Sequence, residues 1–509
     1  MSTLYPCFRK LVKPTVLFQR IQSLLRHTAV YGIGDLAGKS FSLLLVPIYA
    51  RKLLPEDNGV LTLAFAFIGF SAVFYSLGLN PALVRHLSID RTDRKLQTEI
   101  FSTAFWTLTA FGFGVSSILW FSSTPVSIYL LGIETHAELF RLIAVILFLD
   151  TMAEPMYARC RTHQNSRTYA VIRLCQHTLQ LGLTAYFIAV RGQGVSAVFW
   201  SNLASSGFAF ISLLPTTRRS LRLVYCPEKV KSLFAFGIPF IPSTLAVLVI
   251  DLSDRFLIQR FMGLAPLGIY GIVYKIGLPM FLVVRAFRTA WAPSILAVPD
   301  RVEALAVCAK ITTYFAASGI FLFLCISAYS RELIYLIAGP KSSLYLEAEA
   351  VVPLITLSYL FYGFYVILTA GVYVESRTRL LPAIVGTGAA INVGMNIVLI
   401  PILGYIAAAW STFAAYVIMV IFLYGYVRRI YPVSYEFLRL AKLFAAGTVV
   451  YFSMSQAYHD TSVQGITARA IFLLGYPVIL WGWGFFKSTE WSQITALLHL
   501  SHQRTDGQT

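Results

Sequence analysis

The run YARKLLPEDNGVLTLAFAFIG (residues 49–69) has a counterpart in IQRFMGLAPLGIYGIVYKIG (residues 258–277). In both, an arginine stands eight residues before a glycine: Arg51 before Gly59 and Arg260 before Gly268, an offset of 209. Farther along, RGQGVSAVFWSNLAS (191–205) matches PILGYIAAAWSTFAA (401–415), with Gly194 and Gly404 offset by 210. Two matches at nearly one spacing predict an internal duplication, with halves near 28–214 and 233–425. Both halves begin on the same side, so the repeat is parallel, an arrangement found in transporters that rock about a site between repeats.

What is duplicated is membrane-spanning. The 509 residues are 57% hydrophobic and only 13% charged, about half the charged fraction that covers a soluble chain. The spacing predicts an all-α polytopic protein with fourteen transmembrane helices, near 28–50, 60–80, 101–121, 138–157, 170–190, 194–214, 233–250, 267–288, 305–328, 351–374, 381–401, 403–425, 440–457 and 468–486. The segments are then a basic N-terminal stretch (1–27), an N-terminal lobe of six spans (28–214), a basic linker (215–232), a C-terminal lobe of six spans (233–425), two further helices (440–486) and a tail (487–509). The net charge of +18 would suggest nucleic acid in a soluble protein, but the basic residues sit between apolar runs and no nucleic-acid motif accompanies them. The N-terminal stretch, the even-numbered loops and the tail hold 28 Lys and Arg, against 7 in the odd-numbered loops. By the positive-inside rule this predicts both termini in the cytoplasm. Residues 1–27 carry five basic residues, no acid and no apolar core with a cleavage site, which reads as an amphipathic segment on an anionic leaflet rather than a secretory signal. The six cysteines form no C-x-x-C pair and no cluster with histidine, so no metal site or disulfide framework is expected. No nucleophile–base constellation or phosphate-binding loop is present, so no catalytic residue is expected.

Three further stretches carry a resemblance. INVGMNIVLIPILGYIAAAWST (391–412) has N-x-x-x-N, then L-I-P, a glycine and Ser-Thr; SDRFLIQRFMGLAPLGIYGIVYKIG (253–277) has Asp-Arg and Leu-Gly-x-Tyr; FRTAWAPSI (287–295) has Trp-x-Pro. In this order, over about residues 25–490, the chain resembles the polysaccharide-transporter branch of the multidrug/oligosaccharidyl-lipid/polysaccharide (MOP) flippase superfamily, the Wzx-type O-antigen flippases. The resemblance implies two six-helix lobes around a cavity that opens alternately to the two sides of the bacterial inner membrane. It implies a cargo of undecaprenyl-diphosphate-linked oligosaccharide, no covalent chemistry and no cofactor beyond a coupling H⁺ or Na⁺. The partners expected are this lipid-linked substrate, membrane lipids, and a polysaccharide polymerase with its chain-length regulator.

A lipid diphosphate needs cations at membrane depth, where charge is costly and so faces a cavity. Lys39 lies about 16 Å from the inner end of the first span, and Lys275 about 12 Å from the outer end of the eighth, at about 1.5 Å per residue. These are the expected substrate contacts, joined toward the inner mouth by Arg85, Arg285 and Arg288. Asp35, one turn before Lys39, is the expected ion-coupling group; an intrahelical pair neutralising itself is the plainer alternative. Asp150, Glu154, Arg173 and Lys310 read as gate or structural charges, and Arg51 and Arg260 as anchors near outer helix ends. Asn392 and Asn396, four apart, read as interhelical hydrogen-bonding residues. Pro239 and Pro242 predict a kink in the seventh span, and Trp291 a membrane-interface position. The competing functions are a multidrug exporter, whose cationic cargo would want a net acidic cavity, a lipid II flippase, and a non-transporting scaffold of a polymerase complex.

Overall fold

A computed structural model describes residues 41–486, apart from 42, 90–92, 163–164, 219, 297, 299 and 456–460. Among these residues the chain is helical, with no strand. The helices are α1 (Val46–Lys52), α2 (Pro55–Ser76), α3 (Leu79–Ile89), α4 (Arg94–Phe121), α5 (Ser123–Leu131), α6 (Ala137–Thr162), α7 (Ser166–Ala185), α8 (Val195–Thr217), α9 (Pro227–Gly237), α10 (Phe240–Met262), α11 (Leu264–Tyr274), α12 (Leu278–Leu296), α13 (Arg301–Ala328), α14 (Ser330–Ala338), α15 (Ser343–Leu346), α16 (Val351–Val374), α17 (Leu381–Leu403), α18 (Ile406–Ile430), α19 (Phe437–Ser455) and α20 (Val463–Gly482). Side-chain caps fix several starts. Asp93 accepts from the backbone N–H of Lys95 at 2.9 Å and of Leu96 at 3.1 Å, Asp300 from Glu303 at 3.1 Å, and Ser462 from Gly465 at 3.3 Å, each satisfying donors that a helix start leaves open.

Ten helical stretches among the described residues are long and apolar enough to cross a membrane. An eleventh is the pair α9–α10, bent by 43° at Ile238–Pro239, where the sequence predicts a kink. Fourteen spans are therefore not all accounted for. Most of the first predicted span lies outside the described residues. The fourth and fifth exist as α6 and α7, but α6 carries Arg141, Asp150 and Glu154 within its apolar stretch, and α7 carries Arg173, Gln176 and His177. The seventh span, predicted to stop at residue 250, runs on to Met262; Asp254 and Arg255, beyond the predicted end, pair with each other inside the protein.

Contacts divide the chain into two compact units. The first comprises the described residues up to Lys275 together with Ile337–Ala348 and Arg379–Ala415. In it α2 packs on α11 and α10, α10 on α17, and α6 on α4 and α8. The α2–α11 crossing is backbone against backbone. A Cβ on Gly59 would overlap the Leu264 carbonyl, and one on Gly268 would overlap the Pro55 carbonyl and come within 2.7 Å of the Gly59 nitrogen. The contact is reciprocal at the repeat offset: 55 corresponds to 264 and 59 to 268. The two segments matched in sequence thus meet reciprocally, each presenting the same positions to the other. Glycine is required there because any side chain would push the helices apart.

The second unit comprises Ile276–Leu336, Glu349–Thr378 and the described residues from Tyr416 onward. Here α16 packs on α12 and α13, α13 on α19, and α19 on α20. Trp291 is a packing residue of this unit rather than an interface marker. It is buried, its indole N–H donates to the Ile367 carbonyl at 3.3 Å, and it stacks on Phe287 at 5.6 Å. Arg469 on α20 is fully buried. It donates to the Ala328 carbonyl at 2.7 Å and to Glu332 Oε2 at 3.0 Å, with a second guanidinium bond to Glu332 Oε1.

Candidate functional site

Lys275 occupies a 3₁₀ turn, Lys275–Gly277, between α11 and α12, within the candidate span Leu264–Leu296. It lies ~16 Å along the helix from Leu264 at about 1.5 Å per residue. Its ammonium sits 5.5 Å from the centre of the Tyr49 ring, and no hydrogen bond or ion pair reaches it among the described residues. Arg255 is within electrostatic reach. That guanidinium is closely held. It bonds Asp254 Oδ1 at 2.5 Å, donates to the Asp251 carbonyl, and lies 4.4 Å over the Tyr274 ring. Asp254 is fully buried, and its Oδ2 accepts from the Tyr270 hydroxyl at 2.5 Å. Helix phase explains the grouping: Asp251, Asp254 and Arg255 share one face of α10, and Tyr270 and Tyr274 one face of α11. Asp254 is taken by Arg255 and Tyr270, and among the described residues no ion pair reaches Lys275. A cation held against an aromatic face keeps part of its stabilisation while its N–H donors stay available to an anion.

A second charged cluster joins α3, α6 and α7. Glu154 accepts from the Asn80 amide, and its carboxylate lies 3.9 Å from Arg161 and 3.6 Å from Arg173. Arg161 also donates to Asn80 Oδ1 at 2.7 Å. Arg173 lies 3.9 Å over the Tyr157 ring and donates to Gln176 Oε1 at 3.4 Å, which also accepts from the Tyr157 hydroxyl at 3.1 Å. Glu154, Tyr157 and Arg173 line a cavity of about 270 Å³ with Ser76, Asn80 and Asp150.

The remaining expected residues fall as follows. Lys39 and Asp35 lie outside the described residues. Arg85, on α3, is exposed and stacks on Phe236 at 4.4 Å; it does not enter the Glu154 network. In the second unit Arg285 is half-buried with no hydrogen bond or ion pair among the described residues, Arg288 donates to the Tyr362 hydroxyl at 2.7 Å, and Lys310 is exposed. Arg260 is exposed on α10. Arg51 donates to the Ile337 carbonyl at 3.1 Å, while Lys341 reaches back to the Leu53 carbonyl at 3.0 Å. Asn392 and Asn396 are fully buried and join α10, α17 and α18. Asn392 Oδ1 accepts from Ser253 at 3.3 Å and from Asn396 at 3.2 Å, and its amide donates to Thr412 at 3.4 Å. Sequence reasoning quoted Asp254, Arg255 and Tyr270 only as motif residues and passed over Asn80 and Arg161. The signal for the first pair was present, an acid and a base adjacent in an apolar run. The role of Asn80 depends on the fold alone.

The family described as "Polysaccharide biosynthesis protein" matches residues 48–305, just over half of the chain and a stretch that contains both clusters. A curated relative is the "Succinoglycan biosynthesis transport protein ExoT" of Rhizobium meliloti (strain 1021), 24% identical over 304 residues, which cover 59% of this chain and 58% of that protein. The chain thus spans under two thirds of the length of that relative. Among solved structures, "Lipid II flippase MurJ, inward closed conformation" superposes with a TM-score of 0.70 at 13% identity, covering 89% of this chain and 99% of that one. An inward-facing "multidrug resistance MATE family transporter of the MOP superfamily" gives 0.64 at 14% identity, covering 78% and 96%. At these identities the structures establish a shared fold. With the family match they bear out the resemblance drawn from the motifs: the chain belongs to the polysaccharide biosynthesis protein family, built on the fold of the MOP superfamily.

Proposed function

We propose that this multi-span membrane protein is a flippase for a lipid-linked oligosaccharide. The cargo is an undecaprenyl-diphosphate-linked O-antigen or exopolysaccharide repeat unit, moved from the cytoplasmic to the periplasmic leaflet of a bacterial inner membrane by alternating access. The observation that carries the reading is Lys275, a cation within a membrane span that no ion pair reaches among the described residues, which suits an anionic cargo better than a cationic drug. The family and the transport role printed for the Rhizobium relative support the same class. Both termini are cytoplasmic on this reading, and Asp35 couples the cycle to H⁺ or Na⁺ beside Lys39. A polysaccharide polymerase and a chain-length regulator take over the product. The protein does no covalent chemistry.

The test is complementation. A Gram-negative host lacking its own O-antigen flippase receives the wild type, Lys275→Ala, Lys39→Ala or Asp35→Asn at matched membrane levels. Surface polysaccharide restored by the wild type and reduced at least tenfold by Lys275→Ala is the expected result. Rescue by all three variants would remove the site assignment and keep the function. Wild-type failure alongside success in a lipid II flippase assay would move the cargo to the peptidoglycan precursor.

A further inference from the structure

The chain entering α9 is tied to a neighbouring helix along its length. Residues 220–226 are strapped onto α4: Ser102 donates to the Ser220 carbonyl at 3.1 Å, the Trp106 indole donates to the Arg222 carbonyl at 2.9 Å, and the Cys226 N–H donates to Thr103 at 3.2 Å. Held in this way, the strap leaves Leu223 90% exposed and Tyr225 58% exposed. Beyond it, α9 buries Leu233 and Gly237 and turns Lys231 and Ala235 outward. At the bend into α10 lies an open groove of about 600 Å³, lined by Pro227, Val230, Phe234, Ala235 and Ile238, with Lys231 as its one charged wall. Arg218, Arg222, Lys229 and Lys231 stand along the strap and helix against a single acid, Glu228. None of the four side chains has a hydrogen-bond or ion-pair partner among the described residues.

We propose that this groove binds an anionic phospholipid, with an acyl chain in the groove and the headgroup phosphate at Lys231, within the field of Lys229, Arg222 and Arg218. The chemistry selects the ligand. The walls are hydrocarbon, which an acyl chain fills and water does not. The charge is a row of unpaired cations where α9–α10 enters the membrane, the level of lipid phosphates. The groove lacks the hydroxyl, amide and carboxylate groups that would hold a sugar, so a glycolipid cargo gains nothing from it that a phospholipid does not. The lipid braces the bend between α9 and α10, whose residues line the groove.

The experiment uses the full chain in nanodiscs of phosphatidylcholine with a minor fraction of phosphatidylglycerol, released into mild detergent and weighed by native mass spectrometry. Each cation near a membrane surface strengthens anionic-lipid binding about fivefold. Arg222→Gln/Lys229→Gln/Lys231→Gln should therefore lower retained phosphatidylglycerol at least tenfold and leave phosphatidylcholine unchanged. Ala235→Trp, which fills the groove and keeps every charge, should do the same. A control, Arg94→Gln/Lys95→Gln/Arg428→Gln, should change retention less than twofold. Unchanged retention in either groove variant overturns the proposal, as does equal loss in the control, which would mean bulk electrostatics. Displacement of the bound lipid by undecaprenyl phosphate but not by added phosphatidylglycerol also overturns it and makes the groove part of the cargo path.

Discussion

The Glu154 network and the Lys275 cluster are both built from charged residues inside the first unit, yet they close differently. Around Glu154, one carboxylate is shared by Asn80, Arg161 and Arg173, and Asp150 supplies a second acid, so two acids meet two arginines. Around Lys275 the pairing stops short of the lysine: Asp254 is taken by Arg255 and Tyr270, no ion pair reaches the ammonium among the described residues, and it rests against an aromatic face. A neutral network holds helices together. A cation held at membrane depth without an ion-pair partner is costly unless something anionic arrives. The difference teaches which cluster to regard as scaffold and which as site.

The contrast can be attacked at three points. The largest effect on stability is expected from Asp254→Ala. It strands a buried guanidinium and a tyrosine hydroxyl, at a cost of about 3–5 kcal/mol. Little folded protein should survive extraction, and Asp254→Ala/Arg255→Met should recover much of it because no uncompensated charge remains. Failure of the double variant to recover would show that the pair does more than neutralise itself. Next is Glu154→Gln. Its ion-pair partners are about a third exposed or less, so the loss should be about 1 kcal/mol, a shift of a few degrees in a detergent melt, with surface polysaccharide reduced less than tenfold. Abolished transport at an unchanged melting temperature would move the Glu154 network from scaffold to site. The smallest effect on stability belongs to Lys275→Met. It forfeits a cation–π contact of about 0.5–2 kcal/mol and is relieved of a buried charge, so the melt should barely move while polysaccharide export falls at least tenfold. A melt as damaged as that of Asp254→Ala would mean that Lys275 is paired, and the contrast would collapse.

Much of this architecture was legible in the sequence because it is periodic. Apolar runs, the basic loops and the match at an offset of 209 are one-dimensional signals, and the Gly59–Gly268 crossing falls at matched positions of that offset. The buried ladder of Asn392 and Asn396 could be read from their four-residue spacing. What could not be read was compensation between residues. The run DLSDR looks like the end of a span when its charges are counted singly, and becomes interior once Asp254 and Arg255 are seen as a pair with Tyr270. The inner-mouth charges looked like one cluster. The fold gathers Asp150, Glu154 and Arg173 around Asn80, places Arg85 on Phe236, and puts Arg285, Arg288 and Lys310 in the other unit.

The crossing of α2 and α11 has a consequence for heredity. Pro55 and Leu264, Gly59 and Gly268 are matched positions whose backbones touch, so a side chain gained on one arm is felt at once by the other. If the two arms descend from one ancestral half, that half once met a copy of itself at this point as a homodimer. Fusion freed positions without such a contact to diverge, but at this crossing two codons far apart in one gene remain answerable to each other.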